Sequence, residues 1–403
     1  MPWDPWVWAL SVLGGLAFTV AIASLIDGVR FRSKVRDARV WDHTAFLPPA
    51  LLLVPCRGVD AGLEENLDMI FRQEYPAYRV VFCVDAMDDA AVAAIERVRP
   101  RHTTPSDISV ANQDPSIGGK ALALLGGLQM RTPRDEVIAF LDSDIRPSSR
   151  FLRSLVQPLA HPQVGATTTY RWYVPVRGGL WSAVRSAWNA AGLNIFFSDQ
   201  YNFLWGGAWA IRRHALERLD LAALWRGTLS EDLAVTAAIK AMGLRVQFVP
   251  QSVASTFEDC TRKQCVEWTT RQTAMVAVWG RHIRNFAALT YGAHLGAVLL
   301  GLFCISLTAF ADPRFSWPAA LFLFHIPAAI VKGAYRRNSV FLGNPEIAKA
   351  RRVSTVVWAI ANLLVPWLVL WNLLRTRNVE TIEWRGKRYR LTPGALETSD
   401  QRM

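Results

Sequence analysis

Hydrophobic positions in this chain fall into two regimes. At both ends they form long uncharged stretches; between them they come in short runs separated by polar turns. Residues 5–26 (PWVWALSVLGGLAFTVAIASLI) carry no charge and are long enough to cross a bilayer. From 49 to 284 the pattern is that of a folded domain. PALLLVPCRG, YRVVFCVD, DISVANQ and EVIAFLDSD read as four strands. Between them, DAGLEENLDMIFRQ repeats apolar residues at helical spacing with Asp60 as a cap; DDAAVAAIERVR and GGKALALLGGLQM also read as helices. This alternation predicts βαβ units, hence an α/β fold with a mostly parallel sheet covered on both faces. Ligands of such sheets bind beyond the carboxyl ends of the strands. Asp85, Asp142 and Asp144 all stand there.

Beyond 284 three more uncharged runs follow, at 285–311, 315–331 and 353–374. The first and third are long enough to span; the middle one is short and holds Pro318 and Pro327. The organisation expected is an anchor at 1–28, a cytosolic catalytic domain at 29–284 with interfacial helices, membrane helices at 285–376 and a basic cytosolic tail at 377–403. Ala21-Ile22-Ala23 resembles a signal-peptidase site, but the leader has Asp4 and no basic residue, which favours an uncleaved anchor. Arg30, Arg32, Lys34, Arg36 and Arg39 follow it and place the next segment in the cytosol. Three crossings after a cytosolic domain would put the basic tail outside. One run is therefore expected to be re-entrant or interfacial, and Asn362 and Pro366 single out 353–374.

Composition sharpens this picture. Hydrophobic residues make up 51%, charged residues 19%, and there are 17 Trp, a balance suited to a membrane protein. The net charge of +12 comes from basic residues that flank apolar runs, which favours anionic lipid and argues against nucleic acid. The five cysteines include no C-x-x-C pair, so neither a zinc site nor a disulfide framework is indicated.

Candidate chemistry concentrates in four places. Asp142 and Asp144 leave a strand two residues apart and so point the same way. Such a pair can share a hard cation, Mg²⁺ or Mn²⁺, though it can also merely cap a turn. Arg146 beside it reads as a solvated arginine. Asp85 ends the second strand and suits a base or ribose, while Asp88 and Asp89 read as turn and N-cap residues. Gly118, Gly119 and Lys120 open a helix without P-loop spacing; exposed N–H groups and an ammonium there suit a diphosphate or a hydroxylated ring. Ser230, Glu231 and Asp232 precede another helix as good capping chemistry. Residues 178–197 fit either an interfacial helix with Arg185 at its edge or a core helix. Gly206-Gly207 would let a substrate approach the backbone. His214, His282 and His294 stand alone and read as structural.

The segments CVDAMDD, GGKALALL, LDSD, SEDLAVTAAIKAMG and QCVEW together resemble the membrane-bound family 2 glycosyltransferases. The opening from 54 to 91 and WRGKRYRL near the end resemble the ceramide glucosyltransferase branch; bacterial hopanoid-linked sugar transferases are similar over the same span. The resemblance implies a GT-A-like fold and transfer of one sugar from a UDP-sugar donor to a lipid acceptor. It implies that Asp85 contacts uridine and that Asp142 and Asp144 hold a divalent cation and the diphosphate. Asp232, after Glu231, would be the general base, and Gln264 and Trp268 would end the donor-side Q-x-x-R-W motif. This sequence has Glu267 where that motif has arginine; Arg271 or Arg262 could supply the charge. A processive polysaccharide synthase and a silent UDP-sugar-binding scaffold are the competing readings.

Overall fold

The first apolar run and the basic residues after it form a single helix, α1 (Pro5–Asp37), in the computed structural model, which describes residues 4–38, 45–112, 114–350, 352–384, 387–390 and 398–400. Arg39 and residues 385–386, 391–397 and 401–403 of the basic tail lie outside the described residues. The boundary expected after residue 28 thus falls inside a helix. Arginine and lysine are good helix formers and carry it on past the apolar stretch.

The central domain follows in strand–helix order. It comprises β1 (Ala50–Cys56), α2 (Leu63–Phe71), β2 (Tyr78–Val84), α3 (Ala90–Val98), β3 (Ser106–Val110), α4 (Gly119–Gln129), β4 (Val137–Leu141) and α5 (Phe151–Val156). Then come β5 (Val164–Thr168), β6 (Arg171–Val174), α6 (Leu180–Ala191), β7 (Ala208–Arg212), α7 (Arg213–Leu216), α8 (Leu221–Trp225), α9 (Glu231–Ala241), β8 (Arg245–Phe248) and β9 (Ala254–Phe257). Seven strands build one sheet in the order β3-β2-β1-β4-β7-β5-β8. It is parallel except for β7, which runs antiparallel to both β4 and β5. β6 and β9 pair separately and in parallel. The four strands read from sequence are present; β5 to β9 (VGATT, RWYV, AWAIR, RVQF and ASTF) hold no uninterrupted apolar run of five residues like those of β1, β2 and β4 and were not read.

Continuous apolar runs follow from burial on both faces. In β1, Leu52 and Val54 pack against α2, α3 and α5, while Leu51 and Leu53 meet α4 and α8 on the other face. Asp60 does not cap α2, whose N-cap is Gly62 at φ +74°, but Asp89 caps α3 through Ala91 N–H at 2.8 Å. Arg146 is not solvated: it bonds Asn66 at 3.1 Å and covers the Phe257 ring.

Next come α10 (Arg262–Trp279), α11 (Arg281–Phe310), α12 (Ser316–Leu323), α13 (His325–Gly343), α14 (Pro345–Lys349) and α15 (Thr355–Arg375). Among the described residues, four helical stretches are long and apolar enough to cross a membrane: α1, α11, residues 313–343 and α15. The boundary expected at 284 falls inside α11. The middle run is not short, because Pro318 and Pro327 sit in the first turns of α12 and α13, where no intrahelical N–H bond is lost. Nor is 353–374 interrupted: α15 contains Pro366, and Asn362 closes over Gly333 of α13. β10 (Thr381–Trp384), β11 (Lys387–Arg390) and β12 (Thr398–Asp400) form a small antiparallel sheet in the tail.

α6 resolves as a core helix. It packs between β6, α10 and α15, joining the sheet domain to the apolar helices. Arg185 is not at an edge: it is 3% exposed, donates to Glu258 Oε2 at 2.9 Å and covers the Tyr173 ring. A buried guanidinium needs both partners.

Candidate active site

The acids stand where the parallel strands stop. β4 is buried along its whole length, and the chain leaves the sheet at Asp142, whose N–H donates to Gly207 O at 2.8 Å. Ser143 stays buried, so Asp142 and Asp144 turn to the same side. Arg171, at the start of β6, grips both. Its Nη1 and Nη2 donate to Asp144 Oδ2 and Oδ1 at 3.0 and 3.1 Å, and Nη2 lies 3.4 Å from Asp142 Oδ2. At the end of β2, Asp85 pairs with Arg57 at 3.3 Å.

A second cation serves the acids from the other side. Lys120, in the first turn of α4, sets Nζ 2.7 Å from Asp142 Oδ1, 2.9 Å from Glu231 Oε1 and 2.8 Å from Gly206 O. Burial alone would pull its pKa down; the two carboxylates outweigh that and hold it well above the usual lysine range. Burial also raises the Glu231 carboxyl above its ordinary value, against the pull of Lys120.

Asp232 is held by three donors. Gly206 N–H reaches Oδ2 at 2.8 Å, while the Ser230 hydroxyl and Leu233 N–H reach Oδ1 at 2.6 and 2.8 Å. Ser230 therefore does not cap the backbone of α9; it donates to the acid two residues on. One lone pair of Oδ2 remains for a substrate proton.

These groups line one cleft of about 320 Å³. Asp85, Lys120, Asp142 and Asp144 form its strand-edge wall, and Gly206, Gly207, Glu231 and Asp232 its side. α10 covers it with Trp268 and Arg271, and beyond them Met275, Val276 and Ile283 extend the lining towards α11. Trp268 is wedged edge-on between Tyr173 and Trp188.

Gln264 is not brought to this cleft. It sits at the exposed start of α10 and is consumed by a capping box with Thr261. Glu267 also faces away, 62% exposed and 3.9 Å from Lys263. Of the two arginines considered in its place, Arg271 lines the cleft, whereas Arg262 covers the Trp181 ring. Sequence reasoning missed Arg57, Arg171 and Trp205. The aromatic and basic cluster Tyr170-Arg171-Trp172-Tyr173 was the available signal for Arg171, but its approach to Asp144 depends on β6 pairing with β9.

Two carboxylates with hard oxygens suit Mg²⁺ or Mn²⁺ that takes further ligands from substrate phosphates. Among the described residues no group of three or more His, Cys, Asp and Glu is poised for a metal, so a cation held by Asp142 and Asp144 would take its remaining ligands from groups other than further acids, histidines or cysteines.

This mostly parallel, helix-flanked sheet with its carboxylates beyond the strand ends is GT-A-like. Among solved structures it is similar to a mannosyltransferase from Pyrobaculum calidifontis in complex with GDP-Man and Mn²⁺, at 19% identity and TM-score 0.46, over 92% of this chain and 100% of that one. It is also similar to glucosyl-3-phosphoglycerate synthase from Mycobacterium tuberculosis with Mn²⁺, UDP and glucosyl-3-phosphoglycerate, at 16% identity and TM-score 0.39, over 62% and 84%. Likeness at this level carries no argument about activity. The sequence itself matches glycosyl transferase family 21 over residues 15–396, nearly its full length, and the chain belongs to that family.

Proposed function

We propose that this protein moves a single hexose from a UDP-sugar to the hydroxyl of a membrane lipid, ceramide foremost, with inversion at the anomeric carbon. One observation carries the reading: a single cleft runs from the carboxylates at the strand ends to the apolar residues Met275 and Val276 of α10 and Ile283 of α11. A charged donor suits one end, and the headgroup of a lipid still seated in the bilayer suits the other. The four apolar helices would hold that mouth at the membrane, with the basic end of α1 on the cytoplasmic side.

Asp85 and Arg57 would receive the nucleoside. Asp142 and Asp144 would hold the divalent cation, which when bound offsets charge on the diphosphate. Arg271 would face the leaving diphosphate from α10. Asp232, oriented by Ser230, Leu233 and Gly206, would take the acceptor's proton through Oδ2 as the hydroxyl attacks. Lys120 ties Glu231, Asp142 and the Gly206 carbonyl into one frame, so base and donor keep their spacing.

A glutamate in place of the arginine of the Q-x-x-R-W motif would favour a silent scaffold, but Glu267 is exposed and is not among the residues that line the cleft. The test is to incubate purified protein with a panel of UDP-sugars and lipids, ceramide, hopanoid and diacylglycerol among them, with and without Mn²⁺, and to identify products by mass spectrometry. A single sugar on ceramide, lost with chelation and lowered on the order of 10²-fold or more in Asp232→Asn, is the expected result. Polymer, a different lipid, or full turnover by Asp232→Asn would each overturn a named part of it.

A further inference from the structure

Arg171 belongs to no motif that the sequence offers, yet its side chain bridges both members of the acid pair. Its fork meets both oxygens of Asp144 at 3.0 and 3.1 Å and reaches Asp142 at 3.4 Å. The guanidinium stands over two aromatic faces, 5.1 Å from the Trp205 centroid and 5.5 Å from that of Tyr173. The side chain is 11% exposed and lines the cleft. Its backbone carbonyl is tied to α6 by Asn189 Nδ2 at 2.8 Å. The strand therefore fixes where the arginine starts, and the aromatic rings give the guanidinium a surface along which it can move without losing its apolar contacts.

This geometry creates a competition. Of the oxygens that a divalent cation would take, the guanidinium holds both of Asp144 and lies nearest Oδ2 of Asp142, while Lys120 holds Oδ1 of Asp142. A guanidinium fork fits phosphate oxygens as well as it fits a carboxylate.

We propose that Arg171 is an exchangeable counter-cation. It neutralises Asp142 and Asp144 when they stand alone. When a divalent cation arrives with the nucleotide diphosphate, it yields the carboxylates and turns its fork to the phosphates. The inference rests on the reading of the acid pair as a metal–diphosphate site and adds to it a diphosphate-binding residue from β6.

The test measures binding, not turnover. Mn²⁺ affinity is read by electron paramagnetic resonance on wild-type protein, Arg171→Gln and Arg171→Lys, without nucleotide. UDP affinity at saturating Mn²⁺ is read by calorimetry. In Arg171→Gln, Mn²⁺ alone binds more tightly, on the order of tenfold, because its competitor is gone. UDP in the presence of Mn²⁺ binds more weakly, on the order of tenfold, because a charge-assisted contact is lost. Arg171→Lys keeps the charge without the fork and restores the wild-type Mn²⁺ affinity but not the UDP affinity. The melting temperature rises further on adding Mn²⁺ in Arg171→Gln than in wild type, which also reports that the variant is folded.

A merely structural arginine would move both affinities in the same direction, or neither, and that result overturns the proposal. Wild-type protein that binds neither Mn²⁺ nor UDP refutes the metal–diphosphate reading on which both rest. Opposite shifts in a protein that glycosylates no lipid leave Arg171 standing and refute only the acceptor.

Discussion

Gly206 offers a way to displace the proposed base without removing it. Its N–H donates to Asp232 Oδ2 and its carbonyl accepts from Lys120 Nζ, each at 2.8 Å. A Cβ built there lies 3.0 Å from Asp232 Oδ2 and equally close to Glu231 Oε1, so the carboxylates must give by a few tenths of an ångström. Neither has slack: Asp232 is bonded by Ser230 and Leu233, and Glu231 by Lys120. The Gly206 φ is not positive, so alanine meets no backbone strain there and the perturbation is confined to the acids. A misplacement of about 1 Å costs roughly 10²-fold, so a few tenths should cost about three- to tenfold in kcat. Overpacking should also cost about 1–3 kcal/mol of stability. The assay is initial-rate sugar transfer in nanodiscs at saturating donor and acceptor, with the donor Kd measured separately. Lowered kcat with an unchanged donor Kd is expected. Full kcat in Gly206→Ala would refute the assignment of Asp232 as a tightly positioned base. Gly207→Ala is a harsher control, because its Cβ would run into the Trp205 ring.

The other predictions concern charge. Lys120→Met leaves Glu231 and Asp142 without their shared cation and should cost about 3–5 kcal/mol near neutral pH. Burial already raises the Glu231 pKa above its ordinary 4.5, and losing Lys120 raises it further. The stability linked to that raised pKa is present below 4.5 and is lost as pH rises through the folded value. The deficit of Lys120→Met, followed by denaturation midpoints, should therefore shrink as pH falls; a deficit independent of pH would contradict the pairing. Adding Glu231→Gln to Lys120→Met should recover part of the loss at neutral pH. Glu267→Arg should change turnover by less than about twofold, because an exposed pair such as Glu267–Lys263 contributes little; a large gain would mean that Glu267 acts at the donor. Gln264→Ala should loosen the start of α10 by about 1 kcal/mol and leave donor affinity unchanged, measured by unfolding and calorimetry.

The sequence by itself determined the parts that local pattern controls. Apolar runs ending in carboxylates announced β2 and β4 and placed Asp85, Asp142 and Asp144 at strand ends, since a buried strand can finish on charge only where it reaches solvent or a site. Uncharged stretches of 20 residues or so announced α1, α11 and α15 on length alone. The tertiary structure decided everything that depends on which segments meet. Arg171 lies 27 residues from Asp144 and Lys120 lies 86 from Gly206, so no spacing rule could pair them. The strands β5 to β9, with no long apolar run to announce them, bring Arg171 and Trp205 to the acids. The same limit hid the partners of Gln264, Arg146 and Arg185. A polar side chain's role is set by the partners that burial forces upon it, and sequence neighbours do not reveal those partners.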